Sequence, residues 1–101
     1  MKQIDMIKAF AKLEGFNQVE IKGRVQVSRG FNCDIVYNPI TDLALNCAAR
    51  DKYKVEVSYD YNMVTLCLDD GLMSEVVHFK SIESIPSRVI ECILKSKGLY
   101  K

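Results

Sequence analysis

The feature that most constrains the fold is a strict alternation of apolar and polar residues over residues 18–28. Polar residues occupy the even positions, and the odd positions carry apolar residues or glycine: Val19, Ile21, Gly23, Val25 and Val27. Successive side chains of a β-strand point to opposite faces, so this period predicts a half-buried strand. Its polar face would remain open to solvent or to a partner.

Gly23 leaves two arrangements of this segment open. It could be one long strand bent at Gly23, or two strands joined by a three-residue turn over residues 22–24. A two-residue turn at Lys22 and Gly23 would pair Ile21 with Arg24 and set apolar against charged side chains on one face. Because of this mismatch of faces, the two-residue turn is not expected.

Three segments show helical signals. Residues 2–14 repeat apolar side chains on one side and are followed by Gly15, a residue typical of helix ends. A second helix begins within residues 38–42, where Asn38 or Thr41 could cap it and Asp42 suits the positive end of the dipole, and it ends near residues 50–52. The third runs from residues 84–86 to Lys97, with a stripe of Val89, Ile90, Ile93 and Leu94 before Gly98.

Further alternating segments predict strands over residues 31–37, 54–59, 63–68 and 74–79, with turns at Arg29 and Gly30, at residues 60–62 and at residues 69–71. Val64 and Leu66 indicate that the 63–68 strand is central. The predicted fold is α+β, an antiparallel sheet of about 4–6 strands with three helices packed on it, in the order α-β(β)-β-α-β-β-β-α.

Composition predicts one soluble domain spanning residues 1–101. The net charge of +1 offers no support for a DNA mimic or a strongly basic nucleic-acid binder. No apolar run has the length of a membrane span, and the first residues lack the apolar core of a signal peptide, so we expect a cytoplasmic protein without membrane contact.

Catalytic, metal and cofactor signatures are missing from the sequence. Cys33, Cys47, Cys67 and Cys92 have no zinc-site spacing and are predicted to be buried, reduced thiols. His78, the only histidine, lies in a predicted strand with no indicated nucleophile or carboxylate partner. We therefore expect no enzyme, no metal and no cofactor.

Two sets of residues are candidate binding surfaces. Aromatic and polar residues around the central hairpin form the candidate protein interface, since tyrosine is common at interfaces: Tyr53, Tyr59, Asp60, Tyr61 and Asn62. The basic residues Lys22, Arg24 and Arg29 form the alternative, a nucleic-acid-binding strand face. An exposed strand edge could also pair with a second copy to form a homodimer.

The chain resembles the phage ABA-sandwich domain family in three stretches. These are residues 13–16 (LEGF), the helix start at residues 37–42 (YNPITD) with Tyr37, Thr41 and Asp42, and the C-terminal helix at residues 89–98. The resemblance implies a small phage or prophage accessory protein with helices on an antiparallel sheet and no established enzymatic activity. By analogy, we expect it to bind a host protein, which could be a component of a bacterial defence system.

Overall fold

The computed structural model describes residues 1–29, 32–67 and 73–101, so the predicted turns at Gly30 and at residues 69–71 lie outside the described residues. In the described ranges the chain forms three α-helices, six β-strands and a short 3-10 helix. In chain order they are α1 (Gln3–Leu13), β1 (Asn17–Ile21), β2 (Arg24–Arg29), β3 (Asn32–Val36), α2 (Leu43–Tyr53), β4 (Val55–Ser58), β5 (Met63–Cys67), β6 (Met73–His78), the 3-10 helix (Ile82–Ser84) and α3 (Ile85–Ser96).

The strands form two antiparallel sheets of three, with orders β1-β2-β3 and β4-β5-β6. The α+β class and the predicted element order are confirmed, and β5 is a central strand as its apolar pattern indicates. The strands nevertheless divide into two small sheets instead of forming one. The division falls where α2 intervenes between β3 and β4, and within the described residues no backbone pairing joins the two sheets.

The turn between β1 and β2 contradicts the prediction for residues 18–28. It is the two-residue turn that the sequence reasoning excluded, with Ile21 paired to Arg24. Lys22 and Gly23 both have positive φ, 52° and 76°. Such a turn matches the right-handed twist of the two strands it joins. The apolar–charged pair is tolerated because Ile21 and Arg24 lie at the exposed end of the hairpin rather than across a buried face.

This register also reverses the predicted faces of β1. Val25 and Val27 of β2 are buried, each 3% exposed, but they pair with Glu20 and Gln18. Glu20 reaches Lys8 of α1 in an ion pair. The odd residues Val19 and Ile21 consequently lie on the opposite face, 47% and 42% exposed, so the open face of this sheet is partly apolar and not the polar face that was predicted.

Asn38 and Asp42 both accept backbone hydrogen bonds at the entry to α2, but the helix does not begin directly after Asn38. The Asn38 side chain accepts hydrogen bonds from the N–H groups of Ile40 and Thr41 and closes the turn before the helix. Asp42 is the N-cap, accepting from Ala44 and Leu45 at 3.1 and 3.3 Å. The helix therefore begins one turn later than an Asn38 cap would place it, and it continues to Tyr53, one residue beyond the predicted end.

The core is centred on α3, whose predicted stripe is confirmed. Val89, Ile90, Ile93 and Leu94 are fully buried. The helix packs against β4, β5 and β6 and also against α1 and α2. Gly15 and Gly98 end α1 and α3 with positive φ, as their positions predicted. In the described part of the chain, no helix combines the length and apolarity needed to cross a membrane.

Candidate binding surfaces

The connection between β4 and β5 carries four of the five residues of the candidate protein interface. Ser58 pairs with Met63, so Tyr59, Asp60, Tyr61 and Asn62 form the four-residue turn between these strands. All four are exposed, and the tyrosines strongly so, at 61% for Tyr59 and 72% for Tyr61. We call these four residues the tyrosine turn. The structure thus brings two large aromatic side chains together at one end of the β4-β5-β6 sheet.

The tyrosine turn is anchored to the sheet by Phe79, which directly follows β6. The N–H of Phe79 donates to the carbonyl of Asn62 at 2.9 Å, and Asn62 itself adopts positive φ. The rings of Tyr59 and Phe79 meet edge to face, with centroids 6.4 Å apart. Phe79 is buried, 5% exposed. Phe79 therefore anchors the turn at Asn62 and at the Tyr59 ring, while both tyrosines are exposed to solvent.

Tyr53 does not belong to this surface. It ends α2, at the opposite end of β4 from the turn, and its hydroxyl donates to the Glu14 carboxylate at 3.1 Å. Its ring packs edge-on against Phe10 of α1. Burial, followed by the charge of Glu14, raises the pKa of the Tyr53 hydroxyl. The inclusion of Tyr53 in the candidate interface is corrected, because this tyrosine joins α2 to α1.

The three basic candidates do not form one cluster on a strand face. Lys22 lies in the β1–β2 turn and Arg24 begins β2, and both are exposed. Arg29 ends β2, five positions beyond Arg24. At the rise of an extended strand this places the two backbone positions roughly 17 Å apart. Lys22 and Arg24 occupy a hairpin tip, and Arg24 shares the open face with the apolar Val19 and Ile21.

The histidine and the described cysteines lie in separate environments. His78 is exposed on β6, and Cys47 is exposed on α2, which corrects the prediction that Cys47 is buried. Cys67 is half-buried and Cys92 fully buried, while the side chain of Cys33 lies outside the described residues. Burial, with the nearby Glu75 and Glu91 carboxylates, raises the pKa of the Cys92 thiol to about 12. That thiol is therefore protonated at neutral pH and is a poor nucleophile.

Among described side chains, no group of three or more His, Cys, Asp or Glu is placed to hold a metal ion.

A third surface was missed by the sequence reasoning. Ile35 of β3 is 51% exposed and lies on the same face of the sheet as its pairing partner Val27. Between β3 and α2 lies a cavity of about 180 Å³ that Leu45 helps to line. We call this cavity and its walls the β3–α2 groove. The available signal was the uncharged stretch at residues 43–49 (LALNCAA), which is unusual for an exposed helix face.

Comparison of the chain with protein-family models, with curated proteins and with solved structures found no match.

Proposed function

We propose that the chain is a non-enzymatic binding protein that contacts another protein through the tyrosine turn. The observation that carries this proposal is the pair of exposed aromatic side chains, Tyr59 and Tyr61, on a turn that Phe79 anchors through a backbone hydrogen bond. Because Tyr61 and most of Tyr59 are exposed, these side chains add little to the protein's own core. A partner would bury them.

Tyrosine suits this role because it offers a large rigid ring with a polar tip and few rotatable bonds. Tyrosine is enriched among interface hot spots, whose truncation costs about 2 kcal/mol or more of binding free energy. A turn that is already ordered before binding loses little conformational entropy on association. Asp60 and Asn62 flank the rings with hydrogen-bonding groups that could select the partner.

The nature of the partner follows from the family resemblance. A small phage or prophage accessory protein would act in the host cytoplasm on a host protein, and a component of a bacterial defence system is the expected class of target. The buried, protonated Cys92 thiol, a poor nucleophile, supports a binding role over a catalytic one.

The test is an affinity pull-down of the tagged full chain from nuclease-treated bacterial lysate at low and high salt. The wild type is compared with a Tyr59→Ala/Tyr61→Ala variant and with a Val19→Ala/Ile21→Ala control, which removes exposed apolar side chains from the other sheet. We expect a protein that the wild type and the control retain at high salt, and whose retention the tyrosine variant lowers at least about tenfold.

Two results would contradict the proposal. Equal retention by the tyrosine variant would show that the turn is not the interface. Retention of nucleic acid alone from untreated lysate, decreasing steeply with salt and lost in a Lys22→Ala/Arg24→Ala variant, would support the nucleic-acid alternative instead.

A further inference from the structure

The β3 strand has an open edge. On one side it pairs with β2, and no described strand lies on the other. The N–H of Tyr37 donates to the carbonyl of Val25 at 2.8 Å, which makes this a hydrogen-bonded pair. Ile35 and Val27, two positions along, form a pair of the same type. Because antiparallel pairs alternate between hydrogen-bonded and non-hydrogen-bonded positions, the N–H and C=O of Val36 point away from β2. The edge therefore presents main-chain groups that another strand could use.

The β3–α2 groove runs beside this edge. Its cavity of about 180 Å³ lies over the sheet face that carries Val27 of β2 and Ile35 of β3, with Leu45 on the α2 side and with Phe16 and Tyr37 also lining it. A second cavity of about 280 Å³ shares Phe16, Tyr37 and Leu45 and extends the groove toward Ala48. Both are large enough to receive aliphatic side chains, and their walls are mainly apolar.

We propose that the β3–α2 groove binds an extended segment of another protein, which pairs with β3 as an added strand. Alternate side chains of that segment would insert beside Leu45, while its backbone bonds to Val36. Strand addition at an open edge obtains its affinity from the main chain and its specificity from pockets for alternate side chains. This surface is built from elements that do not form the tyrosine turn, so the proposal goes beyond the function argued above.

Charge favours a foreign segment over a second copy. Of the described residues that line the cavity of about 180 Å³, Asp42 alone is charged. A second copy offering its own β3, with the sequence NCDIV, would bring no basic residue to pair with Asp42. A segment with Lys or Arg beside its apolar residues would instead be attracted to Asp42. The fitting partner is therefore an extended segment with alternating apolar residues and a basic residue at one end.

The experiment selects short peptides of random sequence, displayed on phage, against the immobilised full chain. The enriched peptide is then labelled and its binding measured by fluorescence anisotropy. We expect alternating apolar residues with a basic residue, and an affinity that falls at least about tenfold with Leu45→Glu and with Ile35→Glu. N-methylation of the peptide amide that pairs with β3 should weaken binding similarly, and Asp42→Asn, which keeps a capping side chain, should weaken peptides with the basic residue.

The controls separate this surface from the tyrosine turn. Tyr59→Ala/Tyr61→Ala should leave peptide binding unchanged, and circular dichroism verifies that each groove variant folds. Ile35 is half-exposed, so Ile35→Glu tests the groove even where Leu45→Glu fails to fold. The proposal would be overturned if no peptide is enriched, or if the enriched peptides show helical spacing. It would equally be overturned if peptide binding is insensitive to Ile35→Glu or to N-methylation, or if sedimentation shows a dimer that Ile35→Glu dissociates. None of these outcomes depends on the tyrosine turn.

Discussion

Asn46 lies in the core with 5% of its surface exposed, in a helix where most of the neighbouring residues are apolar. Its amide group donates to the carbonyl of Pro39 at 2.8 Å and to the carbonyl of Pro86 at 3.1 Å. One side chain thereby connects α2 to the turn before it and to the first turn of α3. Because buried carbonyls without partners are costly, this amide matters more than its size indicates.

Replacing Asn46 with Ala should destabilise the protein by about 1–3 kcal/mol, since it removes both hydrogen bonds and leaves two carbonyls without these donors. The free energy of unfolding from urea titrations measures the effect. Cys47→Ala, at the adjacent exposed position, is the matched control and should change stability by less than about 0.5 kcal/mol. Equal losses for both variants would mean that the amide does not stabilise the core.

At the scale of the element, the turn at Lys22 and Gly23 sets the register of the β1–β2 hairpin. Lys22 adopts the left-handed conformation at φ 52°, which is strained for a residue with a β-carbon, whereas Gly23 at φ 76° is not strained. A β-carbon at position 23 would meet no atom within 4 Å, so its cost is conformational and not steric crowding. The strain at Lys22 is offset because a two-residue turn of this type matches the twist of the two strands.

Gly23→Ala should therefore destabilise the protein by about 1 kcal/mol, and Lys22→Asn should stabilise it by about 0.5 kcal/mol, because asparagine tolerates this backbone better and Asn-Gly is the preferred pair of such turns. Urea midpoints of the two variants measure both effects. The opposite signs are the internal control. Stabilisation by Gly23→Ala would be inconsistent with the positive φ of this residue.

At the scale of the whole molecule, the two sheets are attached to the core differently. The β4-β5-β6 sheet packs directly on α3, and α2 contacts both α3 and β4. The β1-β2-β3 sheet contacts α1, and α1 contacts α3, so this sheet reaches the central core chiefly through one helix. Regions with fewer buried contacts open at lower free energy than the rest of a protein.

Native-state hydrogen exchange should therefore show lower protection for the amides of β1, β2 and β3 than for those of β5 and α3. The β1-β2-β3 sheet should open below the free energy of global unfolding, and α3 at that free energy. Ile90→Ala, which removes a fully buried side chain of α3, should lower global stability by about 2–5 kcal/mol. Equal protection in the two sheets would contradict a separate opening of the first.

The sequence by itself determined the elements, because helix periods, strand alternation and helix ends depend on neighbouring residues. The α1 and α3 helices, the glycines that end them and the central position of β5 were all correctly predicted. These features arise from local conformational preferences and short-range patterns. The α+β class follows from their order.

Only the tertiary structure decided which side of each element is buried and which residues meet. The alternation over residues 18–28 was read correctly as strand, but the turn at Gly23 exchanged the faces of β1. On α2, packing against α3 buried Asn46 and left Cys47 exposed. Tyr53 turned toward Glu14, which lies far away in sequence, and the β3–α2 groove arose where two separate segments approach. Such choices depend on which partner surface covers an element, and short-range patterns do not contain that information.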